Sequence, residues 1–363
     1  MRHRNALVPG LEHLAVLSDD TGVIQHATES VPNRATGYCT DDVARAFMVV
    51  LARLQSAPRD ELAARLASTY LSFLESAQLE DGRFHNFMNY GRAWLDEVGT
   101  QDSCGRAMWA LGYGMRYAPA HSWRRLCTTL FERGLGAIDD YDFVHPRAYT
   151  LIGLSHALAV RKEPRYAAAA RYLAGALVTS YERERRDDWK WFAPVMTYDN
   201  ARLPEAMIRS AAALAEAQFG EIGLETLNFY EGVTLDSGMF VPIGNNGWYP
   251  RGGARAVYAQ QPLEAAALVD AELAALDATG DPAHFANAEL GLAWFYGKNS
   301  RAETMAHGGG CYDGLEEDGV NRNMGAESTL ALLAAAYAVG SLRARSASNV
   351  RLAPLRSMSI RSG

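Results

Sequence analysis

Carboxylates in this sequence recur at one kind of place. Six segments share a form: polar or acidic residues, then Arg or Glu, then Ala or Ser, then an apolar run with helical spacing. They are Thr40–Ala46, Gln101–Ala107, His145–Ala148, Tyr198–Ala206, Gln260–Ala265 and Asn323–Ser328. Their acids are Asp41, Asp42, Asp102, Asp199, Glu205, Glu264 and Glu327. Two carboxyl groups held on opposite sides of a reacting bond can divide acid and base work between them. Like charges brought close raise one of the two pKa values, which supplies the protonated partner. Asp102 and Glu264 lead as that pair, with Asp41, Asp42 and Glu327 close behind. Arg45, Arg106, Arg147 and Arg255 are placed to hold the other carboxylates ionised or to grip a ligand. Any one acid at a helix start can serve as a cap, but seven exceed what capping needs.

Such residues act together only if the fold gathers them. In Glu61–Ala77 the apolar positions Leu62, Leu66, Tyr70, Phe73, Leu74 and Ala77 line one helical face, and Asp81-Gly82 follows as a turn. Similar helices are expected over Tyr166–Tyr181, Ala206–Gln218, Glu264–Ala278 and Ser328–Ser341. The six segments, anchored at positions 45, 106, 147, 205, 264 and 327, stand 61, 41, 58, 59 and 63 residues apart. Each step holds two helices and two loops, and a repeat of this size decides the fold. Six helical hairpins close into an all-α (α/α)6 toroid, with the inner helices starting at one end. Their unpaired N–H groups and positive dipole ends then face one bowl. Pro146, Pro204 and Pro262 fall in first turns, where proline is tolerated, and Gly105 and Gly325 read as close-packing positions. The expected organisation is one toroid over residues 1–341 and a basic tail over 342–363.

Composition agrees with a soluble globular chain: 363 residues, net charge -7, 48% hydrophobic and 21% charged. A pI near 5.8 argues against a nucleic-acid partner, which asks for a basic face. No stretch is apolar enough for a membrane span. The basic Met1–Arg4 start is not followed by a signal-peptide core, so the expected location is cytoplasmic. Four cysteines in so long a chain make no disulfide framework, and none is paired at zinc-ligand spacing. No metal is expected, and small buried cysteines fill space. No phosphate-binding glycine motif is present, so no nucleotide cofactor is implied. Among the 35 cationic residues 32 are arginine, a residue suited to forked contacts with carboxylate or phosphate.

The loops that lead into the helix starts carry aromatics, amides and glycine. They are residues 81–90 with Trp94 beyond, 188–200, 244–255 and 308–315. Flat apolar rings mixed with forked polar groups suit a sugar, whose C–H faces stack and whose neighbouring hydroxyls take paired hydrogen bonds. Candidate carbohydrate contacts are His85, Arg106, Arg147, Trp191, Tyr198, Asp199, Asn200, Glu205, Asn246, Trp248, Arg255, Gln261, Tyr312 and Asp313.

The stretches Gly37–Asp42, Asp102–Ala107, Thr197–Ala206, Gln260–Ala265 and Gly325–Thr329 resemble those of six-hairpin, (α/α)6-barrel glycosidase-like proteins of bacterial carbohydrate operons. The resemblance spans about residues 30 to 340. It implies a carbohydrate substrate, and it is specific for fold more than for reaction. Inverting glycoside hydrolysis needs two carboxyls about 6.5–9.5 Å apart, a separation that inner helices across a ring supply. Phosphorolysis is a variant in which arginines hold phosphate. Sugar epimerisation, also found on this barrel, favours histidines near neutral pKa, yet only His145 stands at an inner-helix start. A glycan-binding partner of a glycosyltransferase, without turnover, is the non-enzymatic reading. Oligomeric state is left open by the sequence.

Overall fold

A computed structural model of the chain describes residues 8–352. Twelve helices dominate the described residues: α1 (Glu12–Leu17), α2 (Thr40–Ser56), α3 (Glu61–Ala77), α4 (Gln101–Tyr117), α5 (His121–Gly134), α6 (Val144–Val160), α7 (Pro164–Glu184), α8 (Arg202–Leu214), α9 (Ala217–Thr234), α10 (Pro262–Thr279), α11 (Pro282–Trp294) and α12 (Ala326–Leu352). The even-numbered helices pack in the order α2, α4, α6, α8, α10, α12 and back to α2, which closes an inner ring. The odd-numbered helices lie outside it, each against its inner neighbours. This is the (α/α)6 toroid expected from the repeat.

Position in the ring decides the character of each helix. Inner helices α6 and α10 are buried on nearly every face, whereas outer α3 keeps a polar face to solvent. The inner pair α4 and α6 comes closest, because glycines face each other across it. A Cβ on Gly105 would sit 2.8 Å from the Pro146 carbonyl oxygen, and one on Gly153 would sit 2.6 Å from that of Met108. Gly325 likewise lies tight against the chain at Gln25. Thr100 caps α4 by accepting from the Ser103 amide, and Asp60 and Asp281 cap α3 and α11.

The last inner helix departs from expectation. It runs through Leu352 instead of ending at Ser341, so the expected domain boundary falls inside a helix. Ala, Arg and Leu propagate a helix well without an apolar stripe, and Arg343 anchors this stretch to Glu289 of α11 at 2.7 Å. The remainder of the expected tail, 353–363, lies outside the described residues, as does the basic Met1–Arg4 start.

Two-residue antiparallel ladders form the rim above the inner-helix starts. Tyr38–Cys39 pairs with Phe87–Met88, Val195–Met196 with Tyr249–Pro250, and Gly314–Leu315 with Val320–Asn321. All four cysteines are buried and unpaired. Among the described residues no helix is long and apolar enough to cross a membrane.

Candidate active site

The starts of the inner helices meet in one charged layer built on three arginines. Arg45 of α2 reaches Asp41 at 3.3 Å, Asp42 at 3.1 Å and Glu327 of α12 at 2.8 Å. Arg106 of α4 holds Asp41 at 2.7 Å and Asp199 at 2.8 Å, and lies 4.1 Å over the Tyr149 ring of α6. Arg202 of α8 holds Glu205 at 2.6 Å and Asp270 of α10 at 2.7 Å, and approaches Asp199 at 3.4 Å. Every inner helix thus contributes, as the helix-start spacing requires. Six of the seven expected acids, Asp41, Asp42, Asp102, Glu205, Glu264 and Glu327, stand in first turns, where the helix dipole favours negative charge. The caps of α2 and α4 are Cys39 and Thr100, so Asp41, Asp42 and Asp102 do not serve as caps.

Burial and neighbours set the protonation of this layer. Burial pushes the Asp42 carboxyl up to about 8, against the pull of Arg45. Asp41 is also raised by burial, with the charges of Glu327 and Asp102 adding to it and Arg106 and Arg45 opposing. Asp199 goes the other way. Burial alone would raise it, but Arg106, Arg202 and Arg45, with a 2.9 Å bond donated by the Tyr149 hydroxyl, hold it below the usual carboxylate range. Its backbone is left-handed, with φ +48, a conformation that aspartate tolerates better than most residues.

Asp102 stands apart from the three arginine clusters. It accepts a 2.5 Å hydrogen bond from the Tyr198 hydroxyl. The Tyr198 ring stacks on His145 at 4.4 Å, and His145 Nε2 donates to the Tyr198 carbonyl at 2.7 Å. His145 is 7% exposed, and burial lowers its pKa. His85 sits at the rim, stacked on Trp94 at 4.7 Å, with Nδ1 3.1 Å from Asp96. Its carbonyl accepts from Thr40 at 2.6 Å, which ties that loop to the start of α2.

Several expected contacts are placed elsewhere. Glu264 is 1% exposed, enclosed by the Asn200 amide at 3.4 Å and the Tyr230 hydroxyl at 3.1 Å. Burial, then the Asp199 charge, raises it to about 8. So placed, Glu264 braces the Asp199-Asn200 turn by accepting from the Asn200 amides, and it is less open than Asp102, the acid with which the sequence paired it. Trp191 is 1% exposed and packs against Phe192 and Tyr230, so it is core and not a sugar platform. Arg147 spends a guanidinium N–H on the Tyr141 carbonyl, and Arg255 bonds the Val233 and Val241 carbonyls at 2.6 and 2.9 Å. Both brace the backbone. Glu205 lies on the inner side of the layer, bonded also by Arg209.

The rim keeps the rest. Gln261 is half-buried as the residue before α10. Tyr312 stacks on His307 at 6.0 Å, and Asp313 accepts from Asn323 at 3.1 Å. Asn246 and Trp248 are exposed in their loop. The sequence reading passed over Arg202, Tyr149 and Asp270. For Arg202 a signal existed, since Asp199, Arg202 and Glu205 follow at helical i, i+3 spacing. Below the layer, a cavity of about 700 Å³ continues along the barrel axis between the inner helices.

No family model and no curated protein matches the sequence. Solved structures do match the fold along almost the whole chain. A cellobiose 2-epimerase from Bacillus thermoamylovorans superposes with a TM-score of 0.70 at 11% identity, over 93% of this chain and 96% of that one. A cellulase of C. cellulolyticum in complex with cellobiose gives 0.63 at 10% identity, over 93% and 90%. An α-mannanase from Bacteroides thetaiotaomicron gives 0.60 at 11% identity, over 92% and 95%. The fold is that of the (α/α)6-barrel glycosidase-like proteins. The bowl of this protein combines arginine-bridged carboxylates with His145 in the first turn of α6.

Proposed function

We propose that the protein is a carbohydrate-active enzyme that cleaves a glycosidic bond in the bowl, with Asp41 and Asp102 as the carboxyl pair. The observation that carries this reading is the contrast between acids and histidine in the layer. Asp41, Asp102 and Glu327, from three different inner helices, stay partly open, whereas His145 is buried with its Nε2 committed to a backbone carbonyl. Bond cleavage needs one protonated and one ionised carboxyl. Asp41 suits the acid, because burial and the neighbouring charges of Glu327 and Asp102 favour its proton. Asp102 suits the base: Tyr198 orients it from one side, and its second oxygen is free to take a proton from water. Epimerisation would need proton carriers on both faces of one sugar carbon, and a buried, low-pKa imidazole is poorly suited to that work. His85, Tyr312, Asp313, Asn246 and Trp248 on the rim suit the sugar contacts.

The test is turnover on a panel of oligosaccharides, with and without phosphate, followed by product NMR. Cleavage with inversion at the anomeric carbon is expected, abolished in Asp41→Asn and Asp102→Asn. Dependence on phosphate would make the reaction phosphorolysis. Full activity in both variants, or an epimer formed without cleavage, overturns the proposal.

A further inference from the structure

A second cluster of ionisable groups lies outside the bowl, between α9, α10 and α11. Glu231 comes from α9, Glu272 from α10 and His284 from α11. His284 Nδ1 is 2.7 Å from Glu272 Oε2 and 3.8 Å from Glu231 Oε1. One donor atom from each of the three falls within 4.8 Å of the others. Glu272 is 0% exposed, and neither its Oε1 nor the buried Oε1 of Glu231 has a well-formed hydrogen bond, although the two carboxyls face each other and the Asn287 side chain stands beside Glu272. None of these groups takes part in the arginine layer.

Two carboxylates facing one imidazole in a buried place need a compensating charge. A shared proton neutralises one of them, and a dication neutralises both. We propose that Glu231, Glu272 and His284 bind one divalent first-row transition cation of the zinc class, which clasps the outer helices α9 and α11 onto inner α10. One imidazole nitrogen with two carboxylate oxygens is a donor set such ions accept, and it leaves a fourth position for water. Bonds of about 2.0–2.1 Å in a tetrahedron set ligand atoms roughly 3.3 Å apart, and the observed 2.7 and 3.8 Å stand on either side of that edge. Glu231 and His284 are half-buried, which leaves an approach for the ion. The clasp also bears on the bowl, since Tyr230, the residue before Glu231, donates to Glu264.

The experiment uses the full chain without an affinity tag, stripped with a chelator and titrated with zinc by calorimetry, with thermal unfolding in parallel. One zinc per chain is expected. It should raise the Tm of the wild type and leave Glu272→Gln and His284→Ala unmoved. Cobalt(II) should give visible ligand-field bands with the wild type alone. Circular dichroism establishes that the variants fold, and Glu272→Gln, which keeps the side-chain shape, carries the test if His284→Ala does not. No uptake by the wild type, or the same uptake in the folded variants, overturns the site and leaves a shared proton as what holds the carboxyls together.

Discussion

The two halves of the barrel axis are built from the same six helices and differ in how their charges are held. Around the helix starts, Arg45, Arg106 and Arg202 are interlocked with Asp41, Asp42, Asp199, Glu205 and Glu327, and with Asp270 two turns into α10. Below them the axial cavity has a mixed wall, with Met48, Val49, Leu263, Leu330 and Ala334 beside Tyr113, Arg116, His156 and Arg209. The difference follows from where charge can be accommodated. Helix N-termini offer positive dipole ends to carboxylates, and arginine forks satisfy the oxygens that remain. One or two turns further in, charged and aromatic groups such as Tyr113, Arg116 and Asp277 are interspersed with small and aliphatic side chains. The arginine layer is therefore both the floor of the bowl and the roof of the cavity. On this view the chemistry belongs to one side of it only.

The largest expected effect sits on the bowl side. Asp102→Asn should lower turnover by about 10²–10⁴, the usual contribution of a positioned acid or base, with the unfolding midpoint near that of the wild type. A variant that turns over normally would move the chemistry away from Asp102. Next comes stability. Arg106→Met strips the cation from both Asp41 and Asp199, and removing one partner of a buried pair costs about 3–5 kcal/mol. Arg147→Met, in the same ring, loses a bond to one backbone carbonyl, and about 1–3 kcal/mol is expected. Urea unfolding of the two variants side by side checks the order. Equal losses would mean that the layer is not the keystone its contacts imply.

The sequence carried the fold because periodicity and repeat are local signals. Six helix starts at near-regular spacing announce six hairpins, and the acids at those starts announce where the bowl lies. Side-chain direction is not local in the same way. Glu264 and Asp102 look alike in sequence, each an acid one or two residues into an inner helix. One is sealed behind Asn200 and Tyr230, which arrive from other elements, and the other stays open beside Tyr198. Arg147 and Arg255 were legible as cations near the bowl, but the carbonyls that occupy them belong to chain bends with no sequence signature. The Glu231, Glu272 and His284 cluster was invisible for a related reason. Its members are spread over three helices, with no short ligand spacing to betray them.

The sealed acids give a pH test of the same contrast. Glu264 and Asp42 are each raised to about 8 by burial. A carboxyl held protonated in the folded protein ionises first in the unfolded chain. Between the unfolded value near 4 and the folded value near 8, the native state therefore binds more protons, and stability falls as pH rises. Each group contributes at most about 1.4 kcal/mol per pH unit in that window. Glu264→Gln removes one such slope, so the variant should gain on the wild type from pH 5 to pH 8 in paired urea titrations. A gap that stays constant across that range would mean Glu264 is ionised throughout and is open to the bowl after all.

The smallest effect is expected below the layer, where it bears most directly on whether the two halves are independent. Ala334 of α12 faces the axial cavity and is only half-buried. Ala334→Leu adds apolar volume where space exists, and filling a cavity of this kind commonly gains about 0.5–2 kcal/mol. The gain here should lie near the lower end, because leucine must order its side chain in a wide space. If chemistry is confined to the bowl, turnover should stay within about twofold of the wild type, since the added methyls touch no group in the arginine layer. A large loss of turnover with stability intact would mean that the cavity admits part of the substrate. The bowl and the cavity would then be one site divided by ion pairs that open.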